Sequence, residues 1–160
     1  MTNNIFLQAV EFIWQEADML DHGELDAWLD LWDESGLYII PIKSDLCSEE
    51  YINHLNYAYD NATMRQLRVS RLQNGESIST HPPAKTVRTI GSFRLLEKDG
   101  QSVKIRCAQH LREYRKDALK LYSSHIEYQL VLDDGQFRIL QKVVKLVNSD
   151  NALMGIGYIL

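Results

Sequence analysis

Apolar residues recur at helical spacing at the start of the chain. Phe6, Val10, Ile13, Ala17 and Leu20 share one face of a helix predicted from about Asn4 to Leu20. Trp14 lies at the border of that face, and Glu11, Gln15, Glu16 and Asp18 fall on the wet side. The run Asp21-His22-Gly23-Glu24 breaks the pattern. Glycine adopts backbone angles that a helix interior does not, and Asp21 with Glu24 three residues on fits a capping box. A second helix follows, with Leu25, Trp28, Leu29 and Trp32 on its buried face and Ser35-Gly36 as its end. Leu37-Tyr38-Ile39-Ile40 has the composition of a strand, which Pro41 closes.

Between Ile42 and Tyr59 neither period holds, which predicts a long excursion with a helical turn near Glu49 to Leu55. A short helix is expected in Asp60 to Leu72, a turn at Gln73-Asn74-Gly75, and an extended segment around His81-Pro82-Pro83. From Lys85 the period changes to two. Strands are predicted over Thr86–Glu97, Ser102–Tyr114, Leu119–Leu132 and Gln136–Val147, joined by turns at Asp99-Gly100, Arg115–Ala118 and Asp134-Gly135. On the second strand Val103, Ile105, Cys107 and Leu111 face one way, and Lys104, Arg106, His110 and Arg112 the other. Such strands far exceed the usual ~5–6 residues, so bulges are expected to bend them. Asn148 to Leu160 is an apolar tail that either covers a neighbour or closes this chain's own core. Helices first and a meander of long strands last predict an α+β fold: a curved antiparallel sheet covered by N-terminal helices, a cone with room for a pocket.

Composition narrows the partners more than the fold. The 160 residues suit one domain, 1–160, and are 45% apolar and 24% charged. The net charge of −5 argues against nucleic acid or an anionic membrane as partner. No apolar run approaches the ~20 residues of a membrane span. Cys47 and Cys107 belong to no paired motif, and the first residues lack the pattern of a secretory signal. A cytoplasmic setting with free thiols is expected.

Several local runs resemble one family. They are Glu16-Ala17-x-x-Leu20-Asp21 with Trp28-Leu29-x-Leu31, Tyr38-x-x-Pro41, Arg68-Val69-x-Arg71-Leu72 and Pro82-Pro83-Ala84-Lys85-Thr86. In this order and spacing the chain resembles the small (β) subunit of aromatic-ring-hydroxylating dioxygenases, within the cone-shaped superfamily of nuclear transport factor 2, scytalone dehydratase and ketosteroid isomerase. It departs from the family pattern at Ile78, where tryptophan is usual, and at Gly91-Ser92, where serine-asparagine is common. The resemblance implies a cystatin-like cone and a structural role beside a large (α) subunit. That subunit would carry a Rieske [2Fe–2S] centre and a mononuclear iron, in a hexamer of three α and three β that includes a β trimer.

The chain also carries residue types that could do chemistry of their own. A Rieske centre needs paired Cys and His, and a facial triad needs two His and a carboxylate. His22, His54, His81, His110 and His125 all stand more than four residues apart, so no metal or cofactor ligand set is expected in this chain. A stand-alone lyase or isomerase is the alternative. It would place a His, Asp or Tyr inside the cone, with Asp21, Tyr38, Tyr59 and His110 as candidates. Each also has a structural reading: Asp21 as a helix cap, Tyr38 as a core tyrosine, and His110 on the polar face. Arg65, Arg68, Arg71 and Arg88 fit an anion site or, preferably, salt bridges at subunit contacts. The expected catalytic set within the chain is therefore empty.

Overall fold

The computed structural model describes residues 2–43, 45–47, 49–74, 84–148 and 159–160. Helix α1 (Thr2–Asp21) and the short α2 (Leu25–Leu29) lead into β1 (Trp32–Pro41). A single 3-10 turn (Tyr51–Asn53), β2 (Asn56–Asp60) and α3 (Ala62–Asn74) follow. The chain then runs through β3 (Lys85–Asp99), β4 (Ser102–Arg115), β5 (Ala118–Asp133) and β6 (Gln136–Leu146). One six-stranded sheet has the order β2-β1-β6-β5-β4-β3. Its neighbours are antiparallel except β1 and β6, the first and last strands, which lie parallel.

The meander follows from its turns. Lys116 and Asp117 both take positive φ in the β4–β5 turn, as do Asp134 and Gly135 in the β5–β6 turn, the geometry that matches strand twist. Bends come where strand length demands them. The β3–β4 register slips between Gly91 and Arg94, with Ser92 at φ 54°, and again between Leu95 and Glu97. Along β4 and β5 alternate residues are buried, as their period of two predicts: Val103, Ile105, Cys107 and Leu111 on one strand, Tyr122, Ile126, Tyr128 and Leu130 on the next. Helix α1 lays Ala9, Ile13, Ala17 and Leu20 against this face, with Val10 also buried.

The second helix is shorter than its apolar spacing suggests. It ends at Leu29, and Trp32 already belongs to β1, paired with Ile139, while the Leu31 carbonyl accepts the Ile139 N–H at 2.9 Å. Strand pairing thus takes over where another helical turn would have begun. Trp28 and Trp32 are buried either way and meet edge to face at 5.5 Å. Ser35-Gly36 is not a helix end. The Ser35 N–H and hydroxyl both bind Asp33 Oδ2, at 2.9 and 2.6 Å, across an irregular stretch of β1. Gly36 packs so tightly that a Cβ there would lie 2.7 Å from the Ile139 carbonyl and 2.7 Å from the Trp32 ring.

The 42–59 excursion contains an edge strand, β2, that composition hides. Its residues, Asn-Tyr-Ala-Tyr-Asp, carry no apolar alternation, yet Ala58 and Asp60 are buried. The excursion's 3-10 turn covers the reverse face of the sheet, where Tyr51 packs on Ile39 and Val143 beside Tyr59. The turn expected at Gly75 and the extended run at His81-Pro82-Pro83 lie outside the described residues, as does the tail up to Tyr158. Ile159 and Leu160 are described, and both are buried in the main core.

Candidate functional site

The most concentrated chemistry lies between α1 and the sheet. Glu16 is buried on the inner face of α1, not on the wet side where helical spacing placed it. One of its oxygens accepts the Trp28 indole N–H at 2.9 Å and the Lys142 ammonium at 2.8 Å. The other accepts the Tyr128 hydroxyl at 2.6 Å. The two side chains of the Glu16–Lys142 pair are each 1% exposed. Such a pair is sustained only when its remaining polar valences are filled, and here α1, α2, β5 and β6 each contribute one partner.

Lys142 reaches this position through a bulge. In β6, Phe137 and Ile139 point into the core; then Leu130 pairs with Ile139 and Gln129 with Gln141, so Leu140 is the extra residue. The parity flips, Lys142, Val144 and Leu146 turn inward, and Val143 turns to the reverse face. Burial lowers the Lys142 pKa, and the Glu16 charge opposes that shift. Burial, then the neighbouring Glu16 carboxylate, raises Tyr128 well above its ordinary value. Burial also pushes the Cys107 thiol up to about 12, which leaves it protonated and inert.

Sequence reasoning missed Glu16, Tyr128 and Lys142 as a set. The available signal was a lysine inside the apolar run of β6, together with a glutamate one residue before the buried Ala17. Neither says that the two meet.

Of the sequence-predicted candidates, Asp21 and Tyr38 are linked, among the described residues, only through Arg88 and the Ile159-Leu160 peptide group, while Tyr59 and His110 lie elsewhere. Asp21 is no helix cap: α2 has no side-chain cap bond, and the Trp28 N–H bonds the Glu24 carbonyl instead. Asp21 reaches β3, where it accepts from the Thr86 hydroxyl and the Arg88 N–H, both at 2.9 Å, and pairs with the Arg88 guanidinium. Tyr38 is a core tyrosine whose oxygen accepts the Leu160 N–H at 2.9 Å. Burial, countered first by Arg68, raises its pKa to about 12. Tyr59 lies on the reverse face of the sheet. His110 is exposed on the polar face, 2.9 Å from the Ser123 hydroxyl.

Three of the four arginines are engaged within the chain: Arg88 holds Asp21, and Arg65 and Arg68 bind β1 and β2. Arg65 is buried over the Trp32 ring, 4.1 Å from its centre, and donates to the carbonyls of Gly36, Asp33 and Asp60. Arg68 binds both Asp60 oxygens, at 2.6 and 3.1 Å. These contacts dock α3 on the β1–β2 edge. Arg71 alone of the three on α3 is exposed.

An open groove of about 610 Å³ runs along α1 beside the β5–β6 turn, lined by Phe12, Gln15, Asp30, Leu31, Phe137 and Arg138. Glu16, Tyr128 and Lys142 are not among its lining residues. Glu16, Tyr128 and Lys142 are sealed and mutually bonded, and the carboxylates that do line this groove, Glu11 and Asp30, are exposed to solvent. That separation disfavours a lyase or isomerase working inside the cone. Among the described residues no group of three or more His, Cys, Asp or Glu is placed to hold a metal ion. No described helix is long and apolar enough to cross a membrane.

A family model described as "Ring hydroxylating beta subunit" matches residues 15–150. The small subunit of 2-halobenzoate 1,2-dioxygenase from Burkholderia cepacia is 28% identical over 146 residues, covering 89% of this chain and 88% of that one. Among solved structures, the β subunit of benzoate 1,2-dioxygenase from Burkholderia mallei superposes with a TM-score of 0.78 at 24% identity, over 94% of this chain and 95% of that one. A nuclear transport factor 2-like protein with a cystatin-like fold from Novosphingobium aromaticivorans superposes at 0.61 with 13% identity, over 88% and 80% of the two chains, a likeness of fold alone.

Proposed function

Because the chain belongs to the ring hydroxylating beta subunit family, we propose that it is the structural small subunit of an aromatic-ring-hydroxylating dioxygenase and holds no catalytic, cofactor or metal residue of its own. The observation that carries this reading is the family match across residues 15–150, which spans all six described strands and both ends of the Glu16–Lys142 pair. The Rieske [2Fe–2S] cluster and mononuclear iron then belong to a large subunit, in a cytoplasmic assembly of three large and three small chains. Residues 1–160 act in it as one domain. The sealed state of Glu16, Tyr128 and Lys142 supports that division of labour, since a carboxylate with both oxygens occupied is not free to take a proton from a substrate.

Co-expression with a large subunit carrying Rieske ligands tests the proposal. The expected result is co-purification, a native mass equal to three of each chain, and ring hydroxylation only when both are present. Replacing His110, Tyr59 or Arg71 should leave turnover per assembled complex unchanged. A small chain that turned over a substrate alone, or that never associated with the large subunit, would refute it.

A further inference from the structure

The end of the chain sits in a pocket that reads peptide backbone. Ile159 and Leu160 are 2% and 1% exposed, packed in the main core. Both main-chain groups around their peptide link are bonded. The Leu160 N–H donates to the Tyr38 hydroxyl at 2.9 Å, and the Ile159 carbonyl accepts from Arg88 Nη2. Neither partner is free to turn. Tyr38 is held by the edge-on rings of Trp28 and Trp32, each 6.3 Å away. Arg88 is held by Asp21, whose carboxylate also takes the Thr86 hydroxyl and the Arg88 N–H. The guanidinium is 2% exposed and the carboxylate 14%, so the charge pair acts where water competes little.

We propose that Tyr38, Arg88 and Asp21 form a binding site for a two-residue apolar peptide segment, filled in this chain by its own Ile159-Leu160. The site takes one N–H and one C=O from the main chain and buries two branched aliphatic side chains. The ligand class is therefore a short apolar peptide, recognised by backbone geometry and bulk. In its filled state it is a latch. Three segments far apart in sequence, the end of α1, the middle of β1 and the start of β3, are fastened by one dipeptide. This inference does not depend on the chain's role in a dioxygenase.

The test uses the full-length chain. In the wild type, the Leu160 amide is expected to exchange with solvent far more slowly than in a free peptide. Tyr38→Phe, which keeps the ring and removes the acceptor, should speed that exchange about fivefold or more. The full-length double variant Ile159→Gly/Leu160→Gly empties the side-chain pockets. Acetylated Gly-Ile-Gly-Tyr-Ile-Leu should then bind it saturably, followed by tryptophan fluorescence, and should bind the wild type at least about tenfold more weakly because the site is occupied. Wild-type Leu160 exchange at the free-peptide rate would overturn the proposal. So would equal peptide binding by both proteins, or no binding by a folded double variant. Should that variant not fold, the exchange comparison decides.

Discussion

Glu16 shows how much one residue can decide. Its carboxylate is charged and buried, and it is stable there because an ammonium, a phenol and an indole all point at it. Removing the cation alone leaves an uncompensated buried charge. Lys142→Met should therefore cost about 3–5 kcal/mol, read from urea midpoints, whereas Glu16→Gln/Lys142→Met should regain part of that loss because no charge stays behind. The buried phenols make a second prediction. Tyr38 and Tyr51 are raised to about 12 from 10.0, mainly by burial. The folded state keeps protons there that the unfolded chain sheds, so their contribution is complete below pH 10 and is lost as pH rises toward 12. Cys107, raised to about 12 from 9.0, acts in the same direction from a lower starting point. Lys142 and Arg65, both lowered by burial, act in the opposite direction, against Tyr38, Tyr51, Tyr128 and Cys107, all raised by it. Urea denaturation from pH 8 to 12 should show stability falling above about pH 9–10, with a shallower fall in Tyr38→Phe.

At the scale of elements, two irregular strands do what regular ones would not. The Leu140 bulge in β6 is what puts Lys142 beneath α1, since uniform alternation from Phe137 and Ile139 would aim it outward. In β1 the irregular stretch from Trp32 to Leu37 brings the backbone of Gly36 against Ile139. Gly36→Ala introduces a methyl 2.7 Å from a carbonyl oxygen that belongs to the β6 backbone and has little room to yield. A loss of about 1–3 kcal/mol is expected, checked by thermal or urea denaturation. Gly23→Ala is a useful contrast. Its φ of +70° is strained for alanine, but nothing lies within 4 Å of the added carbon. Its cost should stay near ~1 kcal/mol, of backbone origin alone.

For the whole molecule the sheet order matters most. β6 comes last in the meander yet lies inside the sheet, where among the described strands it alone joins β2-β1 to β5-β4-β3. The fold is thus closed only after most of the chain has been made, a non-local topology that favours slow folding. A chain ending at Gly135 should show no cooperative unfolding transition by circular dichroism, because its two strand groups have nothing between them. The latch at Ile159-Leu160 extends the same logic, tying α1, β1 and β3 together from the far end of the sequence.

Much of this was legible in the residues. The α1 stripe, the Asp-Gly turns, the period of two in β4 and β5, and the family runs around Trp28, Tyr38 and Arg68 determined a cone of helices over a curled sheet. They also determined its kinship with dioxygenase small subunits, because these are local patterns that act within a few residues. What only the tertiary structure decided were the long-range pairings. A one-residue bulge reverses the facing of Lys142. Strand pairing with Ile139 ends α2 early, and β2 is a strand because β1 offers it an edge. Asp21 leaves its own helix for Arg88, 67 positions away. Helical spacing says which side of α1 Glu16 is nearest. It cannot say that a lysine 126 positions later will be waiting on that side, and that meeting turned an apparent surface charge into the polar centre of the core.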